Sequence, residues 1–354
     1  EEKKFWEFEY GWFPREGRGL KIAFESLSTG RIAIAKGCIG LSKQALHLSR
    51  WWAKKRSQLG GPLENKELVR DKLMYGAANI MAMEAMTTYA SNCFDSGRDI
   101  RIEAAAVKVF ASEKAWQIAD NLAQIRGGRF YETWQSLSRR EATPPDEIMW
   151  TGSRPNKIFE GANEILVQLM FREGTDKFIK AGAPLVSRDS PLAEKIKAVL
   201  KIAGYYINSA ADSIALWFPE FLMNNELFIE HRSSKLSKQV LMKSLRYRSR
   251  LAVKQLTLDR LSRLAINLGA MALTNSYAKE LDKINSGHSY CQLADLFCFR
   301  TRIEVDMLFR ALNKNDDEYQ WQVSKRLLAG DFDEFLLDGI IPMTEEHMRG
   351  PKET

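Results

Sequence analysis

Apolar residues recur every three or four positions along most of the chain, which is the spacing of helices that bury one face. In the first half this pattern predicts helices over about 32–52, 64–92 and 102–125, and a fourth that begins after Glu160. Four antiparallel helices with short or medium connections predict a bundle. The predicted inward positions of the first three helices are Ile34, Cys38, Leu41, Ala45, Leu48, Leu68, Leu73, Ala77, Ile80, Met83, Ala111, Ala115, Ile118, Leu122 and Ile125.

Interruptions of the pattern mark the connections between helices. The glycines and proline of 60–62 end the first helix, and a long polar loop over Tyr131–Pro155 precedes the fourth. A domain boundary is predicted within Gly182–Pro191, because this stretch ends in a serine followed by proline. That pair is typical of an N-cap and the first residue of a new helix.

Helical spacing continues beyond that boundary, and little of the chain has the two-residue alternation of a strand. Long patterns cover Leu236–Ile284, Tyr290–Leu312 and Glu318–Ala329. The predicted fold class is therefore all-α, with a four-helix bundle followed by a second helical bundle. The predicted domains are an extended arm over 1–17, a helical bundle over 18–185, and a second helical domain over 186–354 that binds a membrane or a partner.

Composition narrows the class of protein. The chain has 354 residues, of which 45% are hydrophobic and 27% are charged, which is typical of a globular protein of about two domains. Charged residues interrupt every apolar run well before the ~20 residues of a membrane span. The net charge of +7 suits an anionic partner, which includes lipid, nucleic acid, coenzyme A and dinucleotides. No recognised nucleic-acid-binding module is present, so nucleic acid is not a predicted partner.

Histidines and cysteines indicate no metal site. The four histidines are scattered, and the four cysteines form no CxxC pair. We predict reduced thiols and no metal ligands.

The stretch Lys157–Met170 contains the strongest candidate for chemistry. Glu160 is followed at once by Gly161, and Asn163 is a candidate N-cap for the helix that begins there. Glycine lets a ligand approach the backbone closely, so the carboxylate of Glu160 could face a ligand. The alternative is that it only compensates the helix dipole.

Three short motifs resemble those of the acyl-CoA dehydrogenase family, and they occur along the chain in the same order as in that family. Residues 158–165, IFEGANEI, are similar to the family's IFEGTNEI; residues 124–131, QIRGGRFY, to QIxGGxGY; and residues 56–60, RSQLG, to RxxFG. The resemblance covers about 18–185. The helical remainder looks like the additional C-terminal domain of the very-long-chain members of this family.

This resemblance implies a function for each matched residue. Glu160 would be the base that removes the α-proton of a fatty acyl-CoA while hydride passes from the β-carbon to a flavin. Gly161 and Arg31 would lie near the substrate. The predicted FAD contacts are Arg56 at the pyrophosphate, with Gln124, Gly127, Gly128 and Asn163. We expect the carboxylate at 160 to share one pocket with the 124–128 turn of its own chain or of an adjoining copy.

Several positions depart from the family pattern. Ala162 replaces a threonine that donates to the flavin, Glu67 replaces a glutamine, and Phe130 replaces a glycine. Residues 150–154 replace the family's RDxR segment. Full-length members also have an N-terminal helical domain and a β-domain, and residues 1–17 would be a remnant of the latter.

Two functions remain open at this point. The chain could be part of an FAD-dependent enzyme that oxidises long-chain acyl-CoA and passes electrons to an electron-transfer flavoprotein. It would form a homo- or hetero-oligomer with a chain that supplies the missing domains. Alternatively, it is a catalytically inactive structural or assembly subunit of a larger complex that has lost FAD. The resemblance implies a mitochondrial location for both, on the matrix side of the inner membrane.

A basic stretch over Lys235–Arg263 has two interpretations. Nine lysines and arginines are opposed there only by Asp259. The stretch is either a solvated helix face or a surface for anionic lipid, to which each basic residue contributes ~1 kcal/mol. The aromatic segment Leu216–Met223 could enter the same interface.

Overall fold

Helices make up all the regular secondary structure that the computed structural model describes, namely residues 19–139, 146–186, 224–285, 289–341 and 343. Within these residues no β-strand is formed, and the pair Ser57 and Pro62 makes an isolated antiparallel bridge. The predicted all-α class is therefore confirmed. The proposed arm over 1–17 and the aromatic segment Leu216–Met223 lie outside the described residues.

Four long helices form the first bundle, and two short ones lie in the connection before the fourth. The long helices are α1 (Gly19–Lys55), α2 (Glu67–Asp95), α3 (Arg101–Arg126) and α6 (Asn163–Val186), and the short ones are α4 (Trp134–Leu137) and α5 (Asp146–Ser153). Short 3₁₀ segments cover Leu63–Asn65, Gly127–Tyr131 and Arg154–Lys157.

Five further helices follow in the described part of the chain. They are α7 (Asn225–Tyr247), α8 (Gln255–Ile284), α9 (Tyr290–Asn313), α10 (Asp317–Leu328) and α11 (Asp333–Leu336). The chain divides into a compact unit that ends at Phe309 and a smaller one from Arg310 to Thr354. The boundary predicted near 185 falls at the end of α6, next to residues outside the described part, and it stays a prediction.

Three details of the predicted elements were wrong. The polar loop Tyr131–Pro155 contains α4 and α5, because Leu137 and Met149 are apolar anchors that become buried. The single helix over Leu236–Ile284 is interrupted by a 3₁₀ segment at 248–253, where Arg248 has a φ of +49°. Leu68 was expected to face inward, but it lies in the first turn of α2 and is 78% exposed.

The order of contacts along the helices gives their directions. Arg31 of α1 and Lys108 of α3 both contact the start of α6, whereas Trp52 of α1 stacks on Arg126 at the far end of α3. Helices α1 and α3 therefore run parallel, as alternate helices of an up-and-down bundle do. Small side chains on both helices are fully buried and permit close packing; these are Ala35, Cys38, Ala45, Ala105, Ala111 and Ala115.

Helix α8 packs against the same bundle through polar as well as apolar contacts. Ser262 donates a hydrogen bond of 2.7 Å to the carbonyl of Val167 on α6. Arg263 donates two, of 2.8 and 3.1 Å, to the carboxylate of Glu113 on α3, and it also pairs with Asp259. Burial raises the pKa of Glu113, but the hydrogen bonds and charge of Arg263 outweigh burial and leave that pKa below its ordinary value.

Replacing Arg263 by methionine should lower the free energy of unfolding by about 1–3 kcal/mol, because Glu113 would lose its bidentate partner in a largely buried place. The matched control is Lys283→Met, which removes an exposed pair with Glu280 and should change stability by less than ~0.5 kcal/mol. Chemical denaturation at neutral pH measures both effects. Equal effects would contradict a structural role for the Arg263 pair.

The same pair predicts a pH dependence. A depressed pKa in the folded state contributes stability above the ordinary glutamate value of 4.5, and this contribution is lost as the pH falls. The stability difference between the wild-type chain and Arg263→Met should therefore shrink below about pH 4.5.

Candidate active site

The turn that precedes α6 has an uncommon backbone conformation. Glu160 and Gly161 have φ values of +57° and +96°. A left-handed conformation is ordinary for glycine but uncommon for glutamate, and it persists only where surrounding contacts maintain it. Helix α6 then begins, and the N–H groups of Ile165 and Leu166 both bond to the carbonyl of Ala162.

Two cationic side chains hold the turn by its backbone. The Nε of Arg31 donates to the carbonyl of Glu160 at 3.2 Å, and the Nζ of Lys108 donates to the carbonyl of Gly161 at 2.8 Å. Hydrogen bonds from charged donors are about twice as strong as neutral ones. Helices α1 and α3 thus each contribute one cation to consecutive peptide groups.

The carboxylate of Glu160 lies close to α1, and one of its two oxygens has no hydrogen-bond partner among the described residues. This oxygen, Oε2, is buried. A Cβ added at Gly30 would be 3.3 Å from Cδ and from both oxygens. Gly30 therefore provides the space that the carboxylate occupies. A half-buried carboxylate with a free oxygen has the acceptor capacity that a general base needs.

Gly161 is required at its position for two reasons. Its φ is unfavourable for any other residue, and an added Cβ would be 3.1 Å from Cδ2 of Leu166. The same Cβ would be 3.7 Å from Nη2 of Arg31, which is 5% exposed. Burial lowers the pKa of Arg31, and the charge of Glu160 opposes this shift. The structure thus brings Glu160, Gly161 and Arg31 together, and their roles towards a substrate stay a prediction.

Asn163 differs from its predicted position as the N-cap. It is the first residue of α6, Ala162 precedes the helix, and the Asn163 side chain points into a buried polar cluster. Its Oδ1 accepts a hydrogen bond of 2.9 Å from Lys108, and its Nδ2 donates to the Oγ of Ser112 at 3.0 Å. The FAD contact of Asn163 stays a prediction, and its side-chain amide is engaged within the protein.

Lys108 is a site residue that the sequence analysis missed. Its side chain is fully buried, and burial lowers its pKa to about 8; Arg31 lowers it as well, while Cys38, Glu164 and Glu113 raise it. One signal was available in the sequence. Lys108 lies three positions before Ala111 and seven before Ala115, so a lysine occupies the predicted buried face of α3.

The predicted FAD contacts lie at the other end of α3. Gln124, Gly127, Gly128 and Arg56 are all exposed. Gly127 ends the helix with a φ of +62°, and nothing lies within 4 Å of a Cβ added at Gly127 or Gly128. An accessible glycine backbone and an exposed guanidinium are both groups that suit a pyrophosphate chemically.

A buried arrangement of charge and indole rings supports this glycine turn. Arg126 pairs with Asp146 of α5, and both side chains are fully buried. The guanidinium of Arg126 lies 4.5 Å from the ring centroid of Trp52, and that of Arg129 lies 5.5 Å from it. The backbone N–H of Arg56 bonds to the carbonyl of Trp52, so the loop that follows α1 begins next to this cluster of charged and indole side chains.

Phe130, one of the departures from the family pattern, packs inward. It is 3% exposed and lies edge-on to Trp150, with ring centroids 6.3 Å apart. Trp150 belongs to the segment that replaces the family's RDxR. The two departures therefore pack on each other, and the backbone of Gly127 and Gly128 remains accessible.

The two groups of predicted site residues do not meet within one chain. Lys108, beside the Glu160 turn, and Arg126, at the glycine turn, are eighteen positions apart on α3. At 1.5 Å per residue this separation is about 27 Å along the helix axis. The expectation of one pocket is therefore wrong for a single copy, and only an adjoining copy could place the two groups together.

Other candidate chemistry is sparse in the described part of the chain. No group of three or more histidine, cysteine, aspartate or glutamate side chains there could hold a metal ion. Four cysteines are free, and burial raises the pKa of Cys38 to about 12. Nor does any helix among these residues combine the length and apolar content of a membrane span.

The fold and this turn define an all-α domain that presents a carboxylate at the start of its last long helix. Residues 17–174 match the family model for the acyl-CoA dehydrogenase C-terminal domain. This part of the chain belongs to the acyl-CoA dehydrogenase family, which confirms the resemblance.

Relatives extend the similarity over the rest of the chain. The chain is 34% identical over 343 residues to the probable acyl-CoA dehydrogenase FadE10 of Mycobacterium tuberculosis, which covers 94% of this chain and 53% of the relative. It is 28% identical over 298 residues to the human mitochondrial very long-chain specific acyl-CoA dehydrogenase. This match covers 82% of this chain and 43% of the relative. The chain spans about half the length of the curated relatives it matches.

One solved structure shares the fold over most of the chain. It is the acyl-CoA dehydrogenase from Bacillus anthracis complexed with FAD, with a TM-score of 0.65 and 22% identity. The match covers 88% of this chain and 54% of that one.

Replacing Gly161 by alanine should lower the free energy of unfolding by about 1–3 kcal/mol, because the residue has a positive φ and its Cβ would contact Leu166. The matched control is Gly40→Ala in α1, where nothing lies within 4 Å of an added Cβ. There alanine should be neutral or stabilising by up to ~1 kcal/mol. Thermal unfolding of both variants makes the comparison, and a neutral Gly161→Ala would contradict the strained turn.

Proposed function

We propose that this chain provides the catalytic base of an FAD-dependent acyl-CoA dehydrogenase, and that Glu160 removes the α-proton of a fatty acyl-CoA. The observation that carries the proposal is the carboxylate of Glu160, which has a buried oxygen without a partner and a backbone held by Arg31 and Lys108. A base held in place before substrate arrives needs little reorganisation during proton transfer.

The residues around Glu160 would each have a limited part in this reaction. Gly30 leaves room for the carboxylate, and Gly161 lets the thioester approach the backbone. Arg31 keeps the turn in place and provides positive charge beside the ionised base. Bound FAD would accept the hydride that leaves the β-carbon, and an electron-transfer flavoprotein would then reoxidise the cofactor. Similarity to a very long-chain specific relative supports a long-chain substrate.

A complete site requires more protein than one copy of this chain. Glu160 and the glycine turn are about 27 Å apart along α3, and the chain spans about half the length of its relatives. We therefore propose that Arg56, Gln124, Gly127 and Gly128 of one copy contact FAD bound to a neighbouring copy. The N-terminal and β domains, on this or another chain, would enclose the flavin.

A catalytically inactive structural subunit is the alternative, and three substitutions favour it. Ala162 has no hydroxyl to donate to a flavin, Glu67 adds negative charge near the expected pyrophosphate, and Phe130 replaces a glycine. The inward packing of Phe130 weakens the third argument, because it leaves the glycine turn accessible. An isolated native assembly without flavin absorption bands would support this alternative.

Glu160→Gln is the direct test of the proposed function. In the native flavin-containing assembly the variant should lower kcat for a long-chain acyl-CoA by about 10²–10⁴-fold, the usual contribution of a general base. The flavin absorption bands should be unchanged, since the amide is isosteric with the carboxylate. Wild-type turnover retained in Glu160→Gln would show that another group is the base.

A membrane-facing surface is a second, separate proposal. At the corner between α7 and α8, the cations Lys238, Arg246, Arg248 and Arg250 are exposed beside exposed Met242, Leu245 and Val253. Other cations of the basic stretch are engaged, because Lys243 is buried and Arg263 pairs with Glu113. We propose that this corner binds anionic lipid on the matrix side of a mitochondrial inner membrane.

Flotation with vesicles that contain cardiolipin tests this surface. The chain should float at low salt and be released at high salt, because the attraction is electrostatic and screened. Reversing the charge of Arg246, Arg248 and Arg250 to glutamate should abolish flotation, whereas the same change at exposed Arg70 and Lys54 should not. Equal flotation of both variants would contradict the proposal.

A further inference from the structure

The side chain of Lys108 is fully buried, and no direct ionic partner for its ammonium is found among the described residues. No carboxylate of the described residues lies within ion-pairing distance of its Nζ, which instead donates to the Gly161 carbonyl at 2.8 Å and to Oδ1 of Asn163 at 2.9 Å. A buried ammonium held only by neutral oxygens costs stability, so its retention requires a local reason.

The positions of the two acceptors suggest that reason. One is the backbone carbonyl of Gly161, the residue after Glu160, and the other is the side-chain oxygen of Asn163, the first residue of α6. Lys108 of α3 therefore donates hydrogen bonds to the two residues that flank Ala162. It braces the segment in which Glu160 and Gly161 have positive φ values. Without Lys108, the carbonyl of Gly161 would lack its donor, and the strained turn could relax.

We propose that Lys108 is the positioning residue for the general base: it holds the Glu160–Gly161 turn so that the Glu160 carboxylate stays beside Gly30 and ready for the α-proton. This inference rests on the proposed function for its kinetic consequence. Lys108 acts through the backbone and does not touch the substrate, so its removal should affect proton abstraction more than substrate binding.

Lys108→Met tests the role, because methionine keeps the aliphatic stem and removes the donors and the charge. In the flavin-containing assembly kcat should fall by about 10²-fold, as expected for a misplaced catalytic group, while KM changes by less than about threefold. Lys108→Gln keeps an uncharged amide donor group, so its kcat should lie between those of Lys108→Met and wild type. The matched control is Lys114→Met, on the same helix, where the lysine pairs with Glu304 at 3.5 Å and does not contact the turn. It should leave kcat unchanged even if it lowers stability.

A double variant separates positioning from general stability. If Lys108 acts through Glu160, Lys108→Met should cost little further activity in a Glu160→Gln background, because the group it positions is already lost. The same fold-loss in both backgrounds would overturn the proposal.

Hydrogen exchange gives a readout that does not need turnover. Amide exchange of the segment 155–166 should be at least about tenfold faster in Lys108→Met than in wild type, and unchanged in Lys114→Met. If wild type fails to oxidise acyl-CoA, the proposed function fails, but this comparison still decides whether Lys108 holds the turn. Unchanged exchange in Lys108→Met would overturn the positioning role.

The pH dependence of stability gives an independent check on the buried ammonium. Burial lowers the folded-state pKa of Lys108 to about 8, whereas an unfolded lysine titrates near ~10.4, so the unfolded chain binds more protons between these values. The charged groups that face Lys108 are Arg31 on α1, Glu113 on α3 and Glu164 on α6. The Cys38 thiol on α1 also faces it but stays protonated in this range, because burial raises its pKa to about 12. The stability of wild type relative to Lys108→Met should rise from pH 8 to 10, and a flat difference would contradict a buried charged Lys108.

Discussion

Two hydrogen bonds from buried cations to consecutive backbone carbonyls determine where the carboxylate of Glu160 lies. Arg31 and Lys108 come from helices that run parallel, and each reaches the same turn from its own side. The turn is unfavourable in isolation, since a glutamate has a positive φ there. Packing of α1 against α3 therefore compensates for local strain at the position where a base would be needed.

The length of α3 also explains why the candidate site residues of one copy form two separate groups. One end carries the Glu160 turn, and the other carries the exposed backbone of Gly127 and Gly128 above the buried pair of Arg126 and Asp146. A rigid helix cannot bring its own ends together, so one site that used both groups, as proposed above, would have to include more than one chain.

The structural effect of a departure from a family motif depends on what the substituted side chain contacts. Phe130 would obstruct a flavin if it pointed outward, but it packs against Trp150, which is itself a departure. Arg263 belongs to a basic stretch that could be attributed entirely to solvent or lipid, yet it forms a bidentate pair with Glu113. Cations of one stretch thus divide between internal pairing and the exposed corner at Arg246–Arg250.

The sequence by itself determined the all-α class, the bounds of several helices and the family resemblance, which it placed over about 18–185 and the family model matches over 17–174. It also assigned Arg31, Glu160 and Gly161 to one site. Helical periodicity and short motifs are local properties, so they can be read without coordinates. Only the tertiary structure revealed Lys108, the side-chain role of Asn163, the helices within Tyr131–Pro155 and the separation of the two site ends. Each of these depends on which helices lie side by side and in which direction, and residues fifty or more positions apart become neighbours only through packing.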